Sequence, residues 1–181
     1  MLKGTPVGDL GWTAPAFTLN DFDGVTHSMS DHLTDQGLLI AFICNHCPYV
    51  KAIADRLAAD TQTLLNEGFG VLAVMSNDFD AYPADAPEQM KAFSNAHSFS
   101  FPYLVDKDQA VARAYKAVCT PDFFGFNGDG HLQYRGRLDD AAMGDPTHRT
   151  PDLLNAMRKI AATGRGPKQQ TASIGCSIKW L

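Results

Sequence analysis

The clearest chemical feature of the sequence is a pair of cysteines, Cys44 and Cys47, in the segment Cys44-Asn45-His46-Cys47. Residues three apart on a helix have Cβ atoms about 5–6 Å apart, which a disulfide can bridge with small adjustment. The positive end of a helix also favours a thiolate, the species that attacks in disulfide exchange. The spacing therefore predicts a catalytic pair that cycles between dithiol and disulfide.

Two neighbours of the pair can tune it. His46 lies between the sulfurs and, when protonated, would stabilise a thiolate; the alternative is an exposed residue in the first helical turn. Pro48 fits a helix in two ways. If Cys44 is the N-cap, Pro48 lacks an N–H that the helix needs, whereas if Pro48 is the first helical residue, Cys47 is the N-cap. The sequence leaves both open, and the thiol nearer the helix start should be the more acidic.

The other cysteines, Cys119 and Cys176, are isolated in the sequence. Apolar residues alternate with small or polar ones from Ile174 to Trp180, which predicts a late strand whose apolar side faces the body. Cys176 is then either a buried, inert thiol or a third redox thiol carried by the C-terminal tail. A structural zinc site needs four clustered ligands, and neither these cysteines nor the histidines cluster. We therefore expect no metal, and no cofactor, because sulfur itself carries the electrons.

The pair must be positioned by the elements around it. Leu38–Ile43 is an apolar run typical of a strand buried on both faces, and Cys44 follows it directly. A helical pattern with apolar residues on one face follows and ends near Gly68. Asp85 and Glu88 resemble a capping box. The predicted order is a β-hairpin, then alternating strands and helices, a second hairpin and a last helix, which indicates an α/β fold with a central mixed sheet flanked by helices.

Length and composition agree with this architecture. With 181 residues, 45% of them hydrophobic, the chain fits a domain over 1–164 with a C-terminal tail over 165–181 that packs on the same domain. A net charge of −5 without a basic cluster argues against nucleic acid or an anionic membrane as partner. No secretory signal is evident near Met1, so we expect a cytoplasmic protein, in which cysteines stay reduced.

The sequence resembles the thioredoxin-fold redoxins grouped as alkyl hydroperoxide reductase/thiol-specific antioxidant-like proteins, in particular bacterial members with a Cys-Asn-His-Cys-Pro motif. The resemblance spans nearly the whole chain, and its specific parts are the cysteine motif and the C-terminal tail. The matching stretches are Ala14–Leu19, Phe42–Lys51, Ser76–Asp78, Ala81–Phe93, Cys119–Phe124, Tyr134–Gly136 and Ser173–Trp180.

The resemblance implies a thioredoxin-like fold in which Thr120-Pro121 is a cis-proline turn facing the cysteine pair. It also implies that an exposed backbone edge at Thr120 docks the substrate, and that Cys44 is the exposed, attacking thiol while Cys47 resolves. The chain departs from thioredoxins because Leu38–Ile43 holds no buried acid. It departs from peroxiredoxins because no hydroxyl residue stands three positions before either cysteine, although Arg135 or Arg137 could supply a cation.

We therefore predict a thiol–disulfide oxidoreductase in antioxidant or redox homeostasis. Its partners would be a protein or small-molecule disulfide and a thiol reductant. One alternative is a peroxiredoxin-like hydroperoxide reductase with Cys47 as the attacking thiol. The other is a non-enzymatic module that binds metal or senses redox state.

Overall fold

Ten strands and five helices build the protein, as seen in a computed structural model that describes residues 1–181. In chain order they are β1 (Leu2–Gly4), β2 (Thr18–Asp21), β3 (Thr26–Ser28), α1 (Met29–His32), β4 (Leu38–Phe42), α2 (Pro48–Asn66), β5 (Gly70–Met75), α3 (Pro87–Ala96), β6 (Tyr103–Val105), α4 (Ala110–Ala114), β7 (Cys119–Thr120), β8 (Asp122–Phe126), β9 (Leu132–Gly136), α5 (Asp152–Thr163) and β10 (Ile174–Ser177).

A seven-stranded mixed sheet forms the centre, in the order β3-β2-β6-β5-β4-β8-β9. Strand β5 is parallel to both β4 and β6, and the other neighbours are antiparallel. Every residue of β4 and β5 is buried, as expected for strands with packed layers on both faces. The predicted central mixed sheet flanked by helices is confirmed.

The core lies in two layers, one on each face of this sheet. Side chains of β4 alternate between them because successive residues of a strand point to opposite faces. Leu39 and Ala41 pack with apolar residues of α2, α3 and α5. Leu38, Ile40 and Phe42 pack on the other face with α4 and the N-terminal segments.

A second, three-stranded sheet has the order β1-β10-β7 and joins both ends of the chain to the segment beside Pro121. The tail strand β10 lies in its middle and is antiparallel to both neighbours. The strand predicted in the C-terminal tail is therefore present. Its partners were not predictable from hydrophobic periodicity, because β1 and β7 contain only three and two residues.

Helix α2 begins at Pro48 and has Cys47 as its N-cap. Proline is favourable at the first helical position, because its missing N–H has no partner there in any helix. This answers the question that the sequence left open about Pro48. The helix ends at Asn66, close to the predicted end at Gly68, whose φ of +90° suits glycine.

The capping box at Asp85 and Glu88 is not formed. Helix α3 begins at Pro87 and has Ala86 as N-cap, while Asp85 closes a preceding 3₁₀ turn over Pro83–Asp85. The Asp85 side chain is fully buried and turned towards the cysteine motif. Proline at the first helical position moved the helix start past the aspartate.

None of the helices combines the length and the apolar composition needed to span a membrane.

Candidate functional site

The two cysteines of the motif lie at the carboxyl end of β4, facing the Thr120-Pro121 turn. The Thr120-Pro121 peptide bond is cis, as the resemblance implies. The Sγ of Cys44 lies 3.3 Å from the Thr120 hydroxyl, and the Sγ of Cys47 lies 3.2 Å from the Thr120 carbonyl oxygen. The fold therefore brings residues 73 or more positions apart into one site.

Both sulfurs of the pair are shielded from solvent. Cys44 is 1% exposed and Cys47 is 0% exposed. The expectation that Cys44 is an exposed thiol is therefore wrong. Both cysteines are buried because they pack within the core cluster that contains Leu39 and Ala41. The partly buried Cys176 of the tail packs against the same cluster.

The surroundings of Cys47 favour its ionised form. A hydrogen bond from the Cys44 thiol lowers the pKa of Cys47, and hydrogen bonds from Cys176 and from the Val50 backbone act in the same direction against burial. The Thr120 carbonyl, which can only accept from a protonated thiol, opposes ionisation, but the pKa of Cys47 is nevertheless lowered. Cys47 is also the N-cap residue of α2, and the positive end of the helix adds to the same effect.

The surroundings of Cys44 favour its protonated form. Its hydrogen bond to Cys47, its burial and the negative charge of Asp85 each raise the pKa of Cys44, and the Thr120 hydroxyl only partly counteracts them. The reduced pair is thus polarised, with the proton on Cys44 and the negative charge on Cys47.

Asp85 is the site residue that sequence reasoning missed. One carboxylate oxygen accepts the backbone N–H of Asn45 at 2.8 Å, and the other accepts the side-chain amide of Asn77 at 2.8 Å. Asn45 is held in turn by the hydroxyl of Tyr103 at 2.9 Å. A buried acid is therefore present after all, and it comes from the 3₁₀ turn before α3 instead of from β4. The only sequence signal was that Asn77 and Asp85 lie in stretches shared with the similar redoxins.

His46 lies between the buried acid and the solvent. Its Nδ1 is 2.6 Å from an oxygen of Asp85, although the two are not aligned for a hydrogen bond, and its ring stacks on Tyr82. Its side chain is 28% exposed. His46 is thus neither a fully exposed residue nor a buried one, and it contacts the carboxylate that acts on Cys44.

Cys44, His46 and Asp85 are the residues that could bind a metal, since their ligand atoms all lie within 4.8 Å of one another. Two ligands of a tetrahedral zinc at about 2.0–2.1 Å stand about 3.3 Å apart. The 2.6 Å between His46 Nδ1 and the Asp85 carboxylate oxygen is much shorter than that, so the two groups are in direct contact. The geometry therefore fits a histidine–carboxylate contact better than a cation site.

The expected free edge at Thr120 is wrong, because the chain itself pairs with it. In the antiparallel ladder between β10 and β7, Cys176 is the partner of Thr120 and Ser177 is the partner of Cys119. Thr120 is buried, and Cys176 packs against the core cluster that contains both cysteines of the motif. The structure thus places a third thiol beside the pair and leaves no room for a substrate strand at this edge.

The remaining candidates lie outside the reactive centre. Cys119 is buried, and burial raises its pKa to about 12. Arg135 forms a buried ion pair with Asp122 at 2.7 Å, and Arg137 pairs with Asp152 at 2.7 Å. Both guanidinium groups are therefore occupied by carboxylates and do not supply a cation to Cys44 or Cys47.

Known proteins resemble this chain in both sequence and fold. Residues 10–135 match the sequence model of the AhpC/TSA family. A conserved protein of Geobacillus kaustophilus, of known structure but uncharacterised, is 39% identical, with a TM-score of 0.93 over 100% of this chain and 97% of that one. The thioredoxin domain of a thiol–disulfide oxidoreductase from Bacteroides vulgatus shares the fold at 19% identity, with a TM-score of 0.66 over 86% of this chain and 99% of that one.

A Mycobacterium tuberculosis protein that carries a peroxiredoxin name is 25% identical over 130 residues, which are 72% of this chain and 78% of the relative. The family match covers more than two thirds of the chain and includes both cysteines of the motif and the Thr120-Pro121 turn. The chain belongs to the AhpC/TSA family and is a thioredoxin-fold oxidoreductase that works through thiol chemistry.

Proposed function

We propose that Cys44 and Cys47 are the redox couple of a thiol–disulfide oxidoreductase, with Cys47 as the attacking thiolate and Cys44 as the resolving thiol. The observation that carries this assignment is the position of Cys47 as the N-cap residue of α2, at the positive end of the helix, where a thiolate is stabilised. The sequence alone favoured the opposite order, on the expectation that Cys44 is exposed.

The reaction is a two-electron exchange. The Cys47 thiolate attacks one sulfur of a substrate disulfide, and the other substrate sulfur leaves as a thiolate. Cys44 then loses its proton and attacks Cys47, which forms the Cys44–Cys47 disulfide and releases the second substrate sulfur. The substrate disulfide is reduced to two thiols, the protein pair is oxidised, and a thiol reductant restores it.

Asp85 and His46 are suited to handle the proton of Cys44. The carboxylate is the nearest buried base, and His46 links it to solvent through the 2.6 Å contact. Because the Asp85 charge raises the pKa of Cys44, the thiol keeps its proton until the mixed disulfide forms. His46 is therefore proposed to tune the pair through Asp85.

A second candidate function is hydroperoxide reduction, which the burial of both sulfurs favours because a small oxidant can enter where a protein cannot. The Cys47 thiolate would attack the peroxide, giving a sulfenic acid at Cys47 and an alcohol, with the proton supplied by solvent. Cys44 would then condense with the sulfenic acid, forming the same disulfide and releasing water. The position three residues before Cys47 holds Cys44 and lacks the hydroxyl that peroxiredoxins use there.

Single-turnover kinetics separates the two functions. The fully reduced protein is mixed with a hydroperoxide and, in parallel, with a protein disulfide, and oxidation of the pair is followed with time. Faster oxidation by the disulfide supports the oxidoreductase, and faster oxidation by the hydroperoxide supports the peroxidase.

We propose a reducing compartment such as the cytoplasm as the location of the protein, because a thiol pool there can regenerate the pair.

A further inference from the structure

The tail strand β10 is firmly built into the site. Its backbone pairs with β1 on one side and with β7 on the other. Before it, the Ser173 hydroxyl donates to the Pro121 carbonyl at 2.7 Å, and after it the backbone N–H of Lys179 donates to Asn77 at 2.9 Å. These anchors fix the tail at both ends of the strand, so Cys176 has a defined place.

Cys176 lies beside Cys47, the thiol of the pair with the lowered pKa. Cys176 is opposite Thr120, whose carbonyl lies 3.2 Å from the Cys47 sulfur. Cys176 packs against the core cluster that contains Cys47, and it is one of the groups that lower the pKa of Cys47. The tail strand thus brings a third thiol next to Cys47.

Cys176 also differs from the pair in exposure. Cys44 and Cys47 are at most 1% exposed, whereas Cys176 is only partly buried. A bulky thiol partner cannot reach the pair, because β10 occupies the Thr120 edge, but it can approach the sulfur of Cys176. Backbone pairing alone would hold the strand with any residue at this position, so a structural role does not require a thiol there.

We infer that Cys176 is a relay thiol that transfers the disulfide between the buried pair and external thiol partners. This inference rests on the proposed function of Cys44 and Cys47 as a redox couple. Cys176 loses its proton, and its thiolate attacks Cys47 of the Cys44–Cys47 disulfide. The Cys47–Cys176 bond forms, the Cys44–Cys47 bond breaks, and Cys44 leaves as a thiolate that takes up a proton.

The second stage occurs at the surface. One thiolate of an external protein dithiol attacks the Cys176 sulfur, and Cys47 leaves as the thiolate that its surroundings favour. The second thiol of the partner then attacks the mixed disulfide and frees Cys176. In total the partner dithiol becomes a disulfide and the Cys44–Cys47 disulfide becomes a dithiol, so atoms and electrons balance.

The first test asks whether Cys176 can form a disulfide with Cys47. The Cys44→Ser variant is fully reduced, treated with one equivalent of diamide, and mapped by peptide mass spectrometry. We expect an intramolecular Cys47–Cys176 disulfide with Cys119 free. A map in which Cys176 remains a free thiol while Cys47 is oxidised to another product overturns the inference.

The second test measures how fast external thiols reduce the oxidised protein with and without Cys176. Oxidised wild type and oxidised Cys176→Ser and Cys176→Ala variants are reduced with dithiothreitol and with reduced thioredoxin as the protein dithiol. We expect both variants to react with thioredoxin at least about tenfold more slowly than wild type, and to lose less than about threefold of the rate with dithiothreitol, a small thiol that does not need the relay. Cys119→Ser, a buried thiol outside the pair, is the matched control and should behave as wild type.

Equal rates with thioredoxin for wild type and both variants would refute the relay. If wild type is reduced by neither probe, the proposed function itself fails, and the peptide map of Cys44→Ser still shows whether Cys176 reaches Cys47. The two failures are therefore distinguishable.

Discussion

Cys176 is the antiparallel partner of Thr120, the residue whose carbonyl oxygen lies 3.2 Å from the sulfur of Cys47. The resemblance to thioredoxin-like proteins implies that this backbone edge binds the substrate. In this protein the C-terminal strand β10 pairs with the edge instead. A redox partner therefore meets the tail before it meets the pair. The close pairing of β10 with β7 should therefore control how accessible Cys176 is.

Gly175 determines how closely β10 approaches β7. A Cβ atom at this position would collide with the carbonyl oxygen of Thr120, whereas a Cβ at Gly4 in the neighbouring strand would only reach an ordinary 3.9 Å contact with Ser173. We expect Gly175→Ala to loosen the strand and to raise the alkylation rate of Cys176 at least about tenfold, as local opening exposes it.

Gly4→Ala is the matched control, because it makes a similar change in the same three-stranded sheet without the collision. It should leave the alkylation rate of Cys176 close to that of wild type. Equal rates in the two variants would show that the backbone of β10 tolerates a shift away from Thr120.

The identity of the attacking sulfur can be tested by trapping. In a Cys44→Ser/Cys176→Ser double variant, Cys47 can attack a small-molecule disulfide that enters the buried site, but no thiol of the site can resolve the product. We expect a stable mixed disulfide at Cys47. In a Cys47→Ser variant we expect no mixed disulfide at Cys44 at neutral pH, because burial and Asp85 raise the pKa of that thiol. Trapping at Cys44 in the Cys47→Ser variant would restore the assignment that the sequence favoured.

The pH dependence of attack follows from the direction of the Cys47 shift. Hydrogen bonds lower the pKa of Cys47, so the thiolate is already formed at neutral pH. We expect the single-turnover rate to stay level from neutral to mildly acidic pH and to fall only when the pH drops through the lowered pKa. A rate that instead rises tenfold per pH unit between pH 6 and 8, as expected for an ordinary cysteine with a pKa of about 8.5, would contradict the polarised pair.

Pro48 offers a test of how α2 begins. At the first helical position proline costs no backbone hydrogen bond, whereas inside a helix it costs about 3 kcal/mol. Since Pro48 occupies the first position, we expect Pro48→Ala to change the free energy of unfolding by less than about 1 kcal/mol in urea titration. A gain in stability of several kcal/mol would show that the proline strains the helix.

The frame of the protein could be predicted from the sequence because it depends on local patterns. Continuous apolar runs gave β4 and β5, and periodic apolar residues gave α2, so the cysteine motif was correctly located between a strand and a helix. The helix start was ambiguous, because Pro48 fits two registers and only packing selects one.

The parts of the site that were missed depend on distant contacts. Asp85 is 38 residues beyond Cys47 in a loop rich in acidic residues, and nothing local distinguishes it from a solvated helix cap. Its burial follows from the hydrogen bonds of Asn45 and Asn77, which only the folded chain brings together. The pairing of β10 with Thr120 is equally non-local, since it joins residues 56 positions apart.

The role of Asp85 leads to a prediction about Cys44. Its negative charge is one of the causes that raise the pKa of Cys44, after the hydrogen bond to Cys47 and burial. We expect Asp85→Asn to lower the pKa of Cys44, so that the second ionisation of the reduced pair moves to lower pH when thiolate absorbance is titrated. The variant should also lose about 1–3 kcal/mol of stability, because the hydrogen bond to Asn77 loses its charged acceptor.

Asp106→Asn is the matched control, since Asp106 is a buried carboxylate that accepts the backbone N–H groups of Val111 and Ala112. It should show a similar loss of stability with an unchanged titration of Cys44. An unchanged titration in Asp85→Asn as well would mean that the carboxylate holds the cysteine loop in place without acting on the thiol.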